Sequence, residues 1–188
     1  MDTKVLTFAE LDKGLDNVRQ SPKDEGTVKM IVRRPEDDGR EILEIAELDP
    51  KYGLIGDNWK SRGSKHTPDG LANLNAQITI MNSRLIELLA QGKERWPLAG
   101  DQLYIDMDLS DENLPPGTRL KIGTAVVTVS SEPHTGCKKF AMRYGTDAMK
   151  FVNSKVGKRL HLRGINARVI EAGIVRVRDL VRKVKFDE

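Results

Sequence analysis

Apolar residues recur along this chain in two rhythms. Near the start, Phe8, Leu11, Leu15 and Val18 fall three or four positions apart, on one stripe of a helix. Thr7 and Glu10 stand at its beginning as a capping box, in which each side chain satisfies an orphan backbone N–H. The spacing predicts a helix that ends before SPKDEG, where Pro22 and Gly26 break it. We expect this segment, residues 1–25, to be a helical appendage packed on a main domain of residues 26–188.

From Gly26 onward the rhythm changes to short β-branched and alternating runs. TVKMIVRR, the turn PEDDGR and EILEIAEL read as a hairpin around an acidic loop. QITIM reads as a strand. Asn82 can then cap a short helix, SRLIELLAQ, with Gly92 at its end. LAGDQLYIDMDLS predicts another strand. TRLKIG and TAVVTVSSE predict two more, joined by a Gly123-Thr124 turn. TDAMKFVNSKVG predicts a helix ending at Gly157. RLHLRGINARVIEAGIVRVRDLVRKVKF predicts two or three closing strands around the Glu171-Ala172-Gly173 turn. About eight short strands without a β–α–β rhythm predict a mainly β fold, a barrel or sandwich with helical insertions.

Composition narrows the classes. Hydrophobic residues make up 38% and charged residues 31% of 188 positions, which suits an ordered globular domain rather than a disordered chain. No apolar run is long enough for a membrane span, and no signal-peptide pattern opens the sequence. With a single cysteine, these features predict a cytoplasmic protein. The formal net charge of +3 conceals an asymmetry: Arg119–Glu188 holds 16 Lys/Arg against 6 Asp/Glu, and the remainder is acidic. The C-terminal part is therefore the expected place for an anionic partner. Aromatics are only 5% and do not interleave with the basic residues, which argues against single-stranded nucleic acid.

The lone cysteine sits in EPHTGCKKF. Thr135 as N-cap would place Cys137 in the first turn of a helix running to Gly145, where the dipole favours a thiolate. Lys138, Lys139, Arg143 and His134 add positive charge. A thiolate can bind a soft metal, attack an electrophile or carry a persulfide. Equally, cysteine is often a small buried hydrophobe without chemistry. His66, His134 and His161 show no zinc-type spacing with it, and no Gly-rich nucleotide loop is present. The stretch from Asp49 to Ala76 is long and rich in Gly, Asn and Asp, as functional loops often are.

Five stretches together resemble the MOSC family, the domain named after the C-terminal part of molybdenum-cofactor sulfurases. They are GLIGDNW, QITIMN, LAGDQLYIDMDLSDENLPPGTRLKIG, PHTGCKKF and RGINARVIEAGIVRVRDLV, in the family's order. The resemblance implies a β-barrel related to the one in pyruvate kinase. It also implies a cysteine, Cys137 here, that ligates molybdenum of a pterin cofactor (molybdopterin) or carries sulfur. Arg168, Asn166, Lys138, His134, Asp57 and Asn58 are the candidate cofactor contacts; Asp57 and Asn58 could line the site or only shape their loop. Arg168 could hold phosphate bidentately or be a surface strand charge. The sequence departs from the family pattern at Asn58, where Arg or His is usual, and at Asp101-Gln102, where Glu-Asn is usual.

A chain of this length cannot hold the PLP-binding desulfurase domain that precedes the domain in full-length sulfurases. The implied activities are sulfur transfer, with a separate cysteine desulfurase, or reduction of N-hydroxylated compounds with an electron-transfer partner. The alternative is a non-catalytic β-barrel module that binds anions or nucleic acid.

Overall fold

The computed structural model describes residues 4–184. Lys185 and Phe186, assigned above to the closing strand, lie outside the described residues. Seven strands form a closed barrel in the order β1 (Glu25–Arg33), β6 (Leu103–Asp106), β5 (Ile78–Asn82), β9 (Ile165–Glu171), β8 (Ala125–Val129), β7 (Arg119–Ile122) and β11 (Leu180–Val184). Pairing of Glu25 with Arg182 and Thr27 with Leu180 closes the circle. The expected mainly β barrel with helical insertions is thus what the chain forms. Within it only β5 and β6 run parallel; helix α3 (Ser83–Ala90) and a 3-10 segment, Lys93–Ala99, provide the crossover between them.

Two cores explain the hydrophobic pattern. Val28, Ile31, Ile80, Leu103, Ile105, Leu120, Val127 and Val169 fill the barrel. Met30, Val32, Met81 and Tyr104 point outward from the same strands and meet a helical layer. That is why β1, β5 and β6 read as near-continuous apolar runs: both faces are covered. Strand β7 alternates instead, with Leu120 and Ile122 inside and Lys121 exposed.

The helical layer contains α1 (Phe8–Arg19), α3, α4 (Lys138–Tyr144) and α5 (Thr146–Asn153). Helix α1 carries the predicted capping box and buries Leu11, Leu15 and Val18. Phe8 is partly exposed and packs edge-on against Phe151. Among the described residues no helix is long and apolar enough to cross a membrane.

Several elements differ from the sequence expectation. EILEIAEL is two strands, β2 (Glu41–Leu43) beside β1 and β3 (Ile45–Asp49) in a separate small sheet with β4 (Gly53–Leu54) and β10 (Gly173–Arg176). The chain bends at Glu44, whose carbonyl accepts from the Val177 N–H. The Glu171–Gly173 turn does not fold β9 onto β10; it passes the chain from the barrel to that small sheet. Helix α3 ends with Gln91 in the left-handed conformation, φ 53°, one residue before Gly92. TDAMKFVNSKVG breaks at Ser154, which ends α5 and caps α6 (Lys155–Arg159), so Gly157 lies within a helix. A Cβ there would come within 2.4 Å of the Phe151 carbonyl oxygen, so the glycine serves close packing.

Candidate functional site

Cys137 is held by the segment that leads into α4. Asn166 donates to the carbonyls of Glu132 and Pro133 at 3.1 and 3.2 Å. The Asn153 amide accepts from the Gly136 N–H at 2.8 Å and donates to the Gly136 carbonyl at 2.9 Å. These bonds keep the chain extended through Cys137, at φ −108° and ψ −179°. The helix therefore starts at Lys138: Cys137 is its N-cap, not its second residue, and Thr135 is not the cap. Its side chain makes no capping bond, and the cysteine is exposed.

The cysteine opens on a cleft of about 160 Å³. Five cationic residues line it, Arg34, Arg40, Arg62, Lys139 and Arg143, against three carboxylates, Glu36, Asp37 and Asp38. Asp38 pairs with Arg143 at 2.8 Å and Lys139 at 3.3 Å, and the Lys139 ammonium lowers its carboxyl pKa. Arg34 is buried in a two-pronged pair with Asp57, 2.9 and 2.8 Å, and donates to the Gly100 carbonyl. Arg40 and Arg62 form no ion pair with a carboxylate among the described residues. Burial depresses the pKa of Arg40, and neighbouring Arg143 and Arg34 add to the effect. Burial and Arg34 do the same to Arg62. Cations that lower one another's affinity for protons are repelling one another, and a bound anion would relieve that.

The cleft's far wall comes from the GLIGDNW loop. Gly56 takes φ +82°, and a Cβ there would meet Arg33 Nη1 at 2.9 Å. The turn brings Asp57 onto the end of β1, where its carboxylate also accepts the Arg34 and Trp59 backbone N–H groups at 2.9 Å. Asn58 follows; its N–H donates to the Arg34 carbonyl at 2.7 Å. The Asn58 side chain lines the cleft, and its buried Oδ1 has no hydrogen-bond partner. An unsatisfied buried amide is costly, and a donor on a ligand would satisfy it.

The segment bearing Cys137 also walls a second cavity, of about 400 Å³, lined by His134, Lys158, His161, Arg163 and Asn166 among others. Here Asp101, wholly buried, accepts from His134 Nε2 at 2.8 Å and Arg163 Nη1 at 2.7 Å. Burial raises the Asp101 pKa, but Arg163 and His134 outweigh it, so the carboxyl ionises below its usual range. A carboxylate only accepts, so the His134 proton is on Nε2. Burial, then Arg163, lowers the His134 pKa, which keeps the ring neutral. Gln102 is also fully buried; its Oε1 accepts from the Thr79 N–H and hydroxyl at 2.8 and 2.6 Å.

Of the sequence candidates, the structure gathers Cys137 and Asn58 at the cleft, with Asp57 directly behind. His134 and Asn166 hold the cysteine segment and face the second cavity. Lys138 is exposed and does not line the cleft, although Lys139 does. Arg168 points out from β9, opposite Thr128, and is not brought to the thiol. His66 lines a groove of about 570 Å³ that shares Arg62 with the cleft. The cleft's cations do not all come from the basic C-terminal part, where an anionic partner was expected: Lys139 and Arg143 do. Arg34, Arg40 and Arg62 come from the acidic part of the chain, and the sequence reading missed them. Arg34 and Arg40 flank an acidic turn whose charge masks them in any local count.

A family model described as MOSC domain matches residues 71–182. No curated protein matches the sequence significantly. Among solved structures, the YUAD protein from Bacillus subtilis is similar with a TM-score of 0.60 at 16% identity, over 87% of this chain and 97% of that one. YiiM from Escherichia coli is similar with a TM-score of 0.55 at 17% identity, over 85% and 70% of the two chains. YiiM from Geobacillus stearothermophilus gives 0.57 at 14% identity, over 85% and 75%. At such identities these likenesses bear on the fold alone. The family match spans more than half of the chain and includes the Cys137 segment, so this protein belongs to the MOSC domain family.

Proposed function

We propose that the cleft binds the molybdenum-pterin cofactor and that Cys137 serves it through its thiolate. The carrying observation is the convergence of five cationic side chains on the single exposed cysteine of the chain. Membership of the MOSC family supports the same cofactor class at family level. The residues present fit it. Arg40 and Arg62 form no ion pair among the described residues and suit a phosphate; Arg40 donates from Nε and Nη1 to the Pro97 and Gly39 carbonyls and keeps Nη2 for it. Asn58 Oδ1 lacks a donor and suits an N–H of a pterin. The cleft has room for the charged end of such a ligand, and Arg62 continues into the adjoining groove.

When bound, the cofactor supplies a redox-active molybdenum. The chain's own part is to hold phosphate among the arginines, to present one soft sulfur ligand and to fix that sulfur's position. Among the described residues no cluster of three His, Cys, Asp or Glu could hold a metal ion by itself. One thiolate is what a metal already held by a pterin would need from the protein. The same sulfur could carry a persulfide received from a separate cysteine desulfurase. The two activities that follow are sulfur transfer and, with an electron-transfer partner, molybdenum-dependent reduction of N-hydroxylated compounds.

The test is molybdenum and pterin analysis of wild type and Cys137→Ser, both purified from cells that make the cofactor. We expect molybdenum at near one equivalent in the wild type and its loss in a folded serine variant. Equal molybdenum in both would refute the ligand role. Its absence from both, with labelled sulfur accepted by Cys137, would leave the sulfur-carrier role.

A further inference from the structure

We propose that Asp101 is a positioning residue for Cys137, acting through His134 on one side of the thiol and Arg163 on the other. This deepens the reading above, because it concerns how the same cysteine is held in the cleft. His134 lies three residues before Cys137, and its ring is fixed by Asp101 Oδ1 at 2.8 Å. Phe140 lies three residues after it, and the Arg163 guanidinium sits 4.9 Å from the Phe140 ring centroid. Arg163 in turn is fixed by Asp101 Oδ2 at 2.7 Å and by the Ala99 carbonyl at 2.9 Å. One buried carboxylate thus grips both flanks of the thiol, and Ala99 and Gly100, its chain neighbours, form part of the cleft wall.

The plainer reading is that the cluster only stabilises the fold. Buried ion clusters seldom do so better than apolar residues of equal volume, because desolvation offsets their attraction. What such a cluster does supply is fixed geometry. Its members are drawn from three places, the chain before β6, the Cys137 segment and the start of β9, and they meet at one carboxylate. Lys139 and Arg143 ride on α4 with the cysteine, but Arg34, Arg40 and Arg62 stand on other parts of the chain, so a shift of the cysteine segment by a residue's width would take the sulfur away from those three arginines.

The experiment compares the rate at which Cys137 is alkylated by iodoacetate, an anion, and by iodoacetamide, its neutral analogue. The ratio reports positive potential at the sulfur and is insensitive to global stability in a folded protein. It needs no cofactor, so it can fail while the molybdenum analysis succeeds, or the reverse. In wild type we expect a ratio favouring iodoacetate that falls with added salt. In His134→Ala the ratio should fall by roughly threefold or more, and His134→Gln, which can still donate to Asp101, should restore most of it. Should His134→Ala not fold, Phe140→Leu decides, since it removes the Arg163 contact while keeping an apolar side chain. An unchanged ratio in either folded variant, or no salt-sensitive preference in wild type, would overturn the proposal.

Discussion

Two clusters of charge lie on either side of the Cys137 segment, and they are built on opposite terms. In the Asp101 cluster each charge has its counterpart within hydrogen-bonding distance; Asp101 and Arg163 are buried and His134 is half-buried. In the cleft, arginines crowd one another, two of them form no ion pair among the described residues, and the Asn58 amide oxygen lacks a donor. The first arrangement pairs its carboxylate and its guanidinium within the protein, although the buried Arg163 Nε has no hydrogen-bond partner. The second is complementary to something anionic that carries N–H donors. Under the function proposed above, side chains of the same types serve structure in one place and recognition in the other, according to how far the protein itself satisfies them.

The sharpest way to break this contrast is to remove the carboxylate from the Asp101 cluster. Asp101→Ala leaves Arg163 buried and uncompensated and should cost about 3–5 kcal/mol in urea unfolding. A loss below about 1 kcal/mol would show that water or a shifted side chain replaces Asp101 with ease. The opposite change in the cleft should do the reverse. Arg40→Gln with Arg62→Gln should leave stability within about 0.5 kcal/mol of wild type, or raise it, while weakening pyrophosphate binding by roughly tenfold or more in calorimetry. Marked destabilisation with unchanged binding would make these arginines structural.

Acidity offers a third, smaller lever. Both Asp101 and His134 ionise at lower pH in the folded chain than their ordinary values of 3.8 and 6.5. In each case the unfolded chain binds the proton more readily, so stability falls as pH falls. The His134 contribution should be lost from about pH 6.5 downward, and that of Asp101 below about pH 4. A His134→Gln protein should show a flatter stability curve between those values, measured by thermal melting in a buffer series. An identical slope would detach His134 from the effect. The smallest expected change is at Arg168. Arg168→Gln should shift stability by no more than about 0.5 kcal/mol and leave molybdenum content unaltered, since the residue is exposed on the barrel's outer face.

Much of the fold is legible in local pattern. The capping box at Thr7 and Glu10 starts α1 as its residues require, and Asn82 caps α3 through the Arg84 and Leu85 N–H groups. Both are short-range bonds, satisfied within a few residues whatever the rest of the chain does. The order of the family-like stretches carries the barrel. Boundaries set by distant partners are not legible. Glu44 bends because β3 finds β10, more than a hundred residues on. The left-handed C-cap of α3 falls on Gln91 although Gly92 follows it.

By itself the sequence pattern determined a mainly β fold with helical insertions, barrel or sandwich, and marked one cysteine among basic neighbours as the candidate reactive group. Those follow from hydrophobic periodicity, turn residues and short-range bonds, which are properties of contiguous chain. Only the tertiary structure decided which charges surround that cysteine. Arg34, Arg40 and Arg62 reach it from the acidic part of the chain because the GDN loop docks on the end of β1, while Arg168 turns outward by the alternation of its strand. Electrostatic potential adds up over distance in space, and the chain's order does not record it.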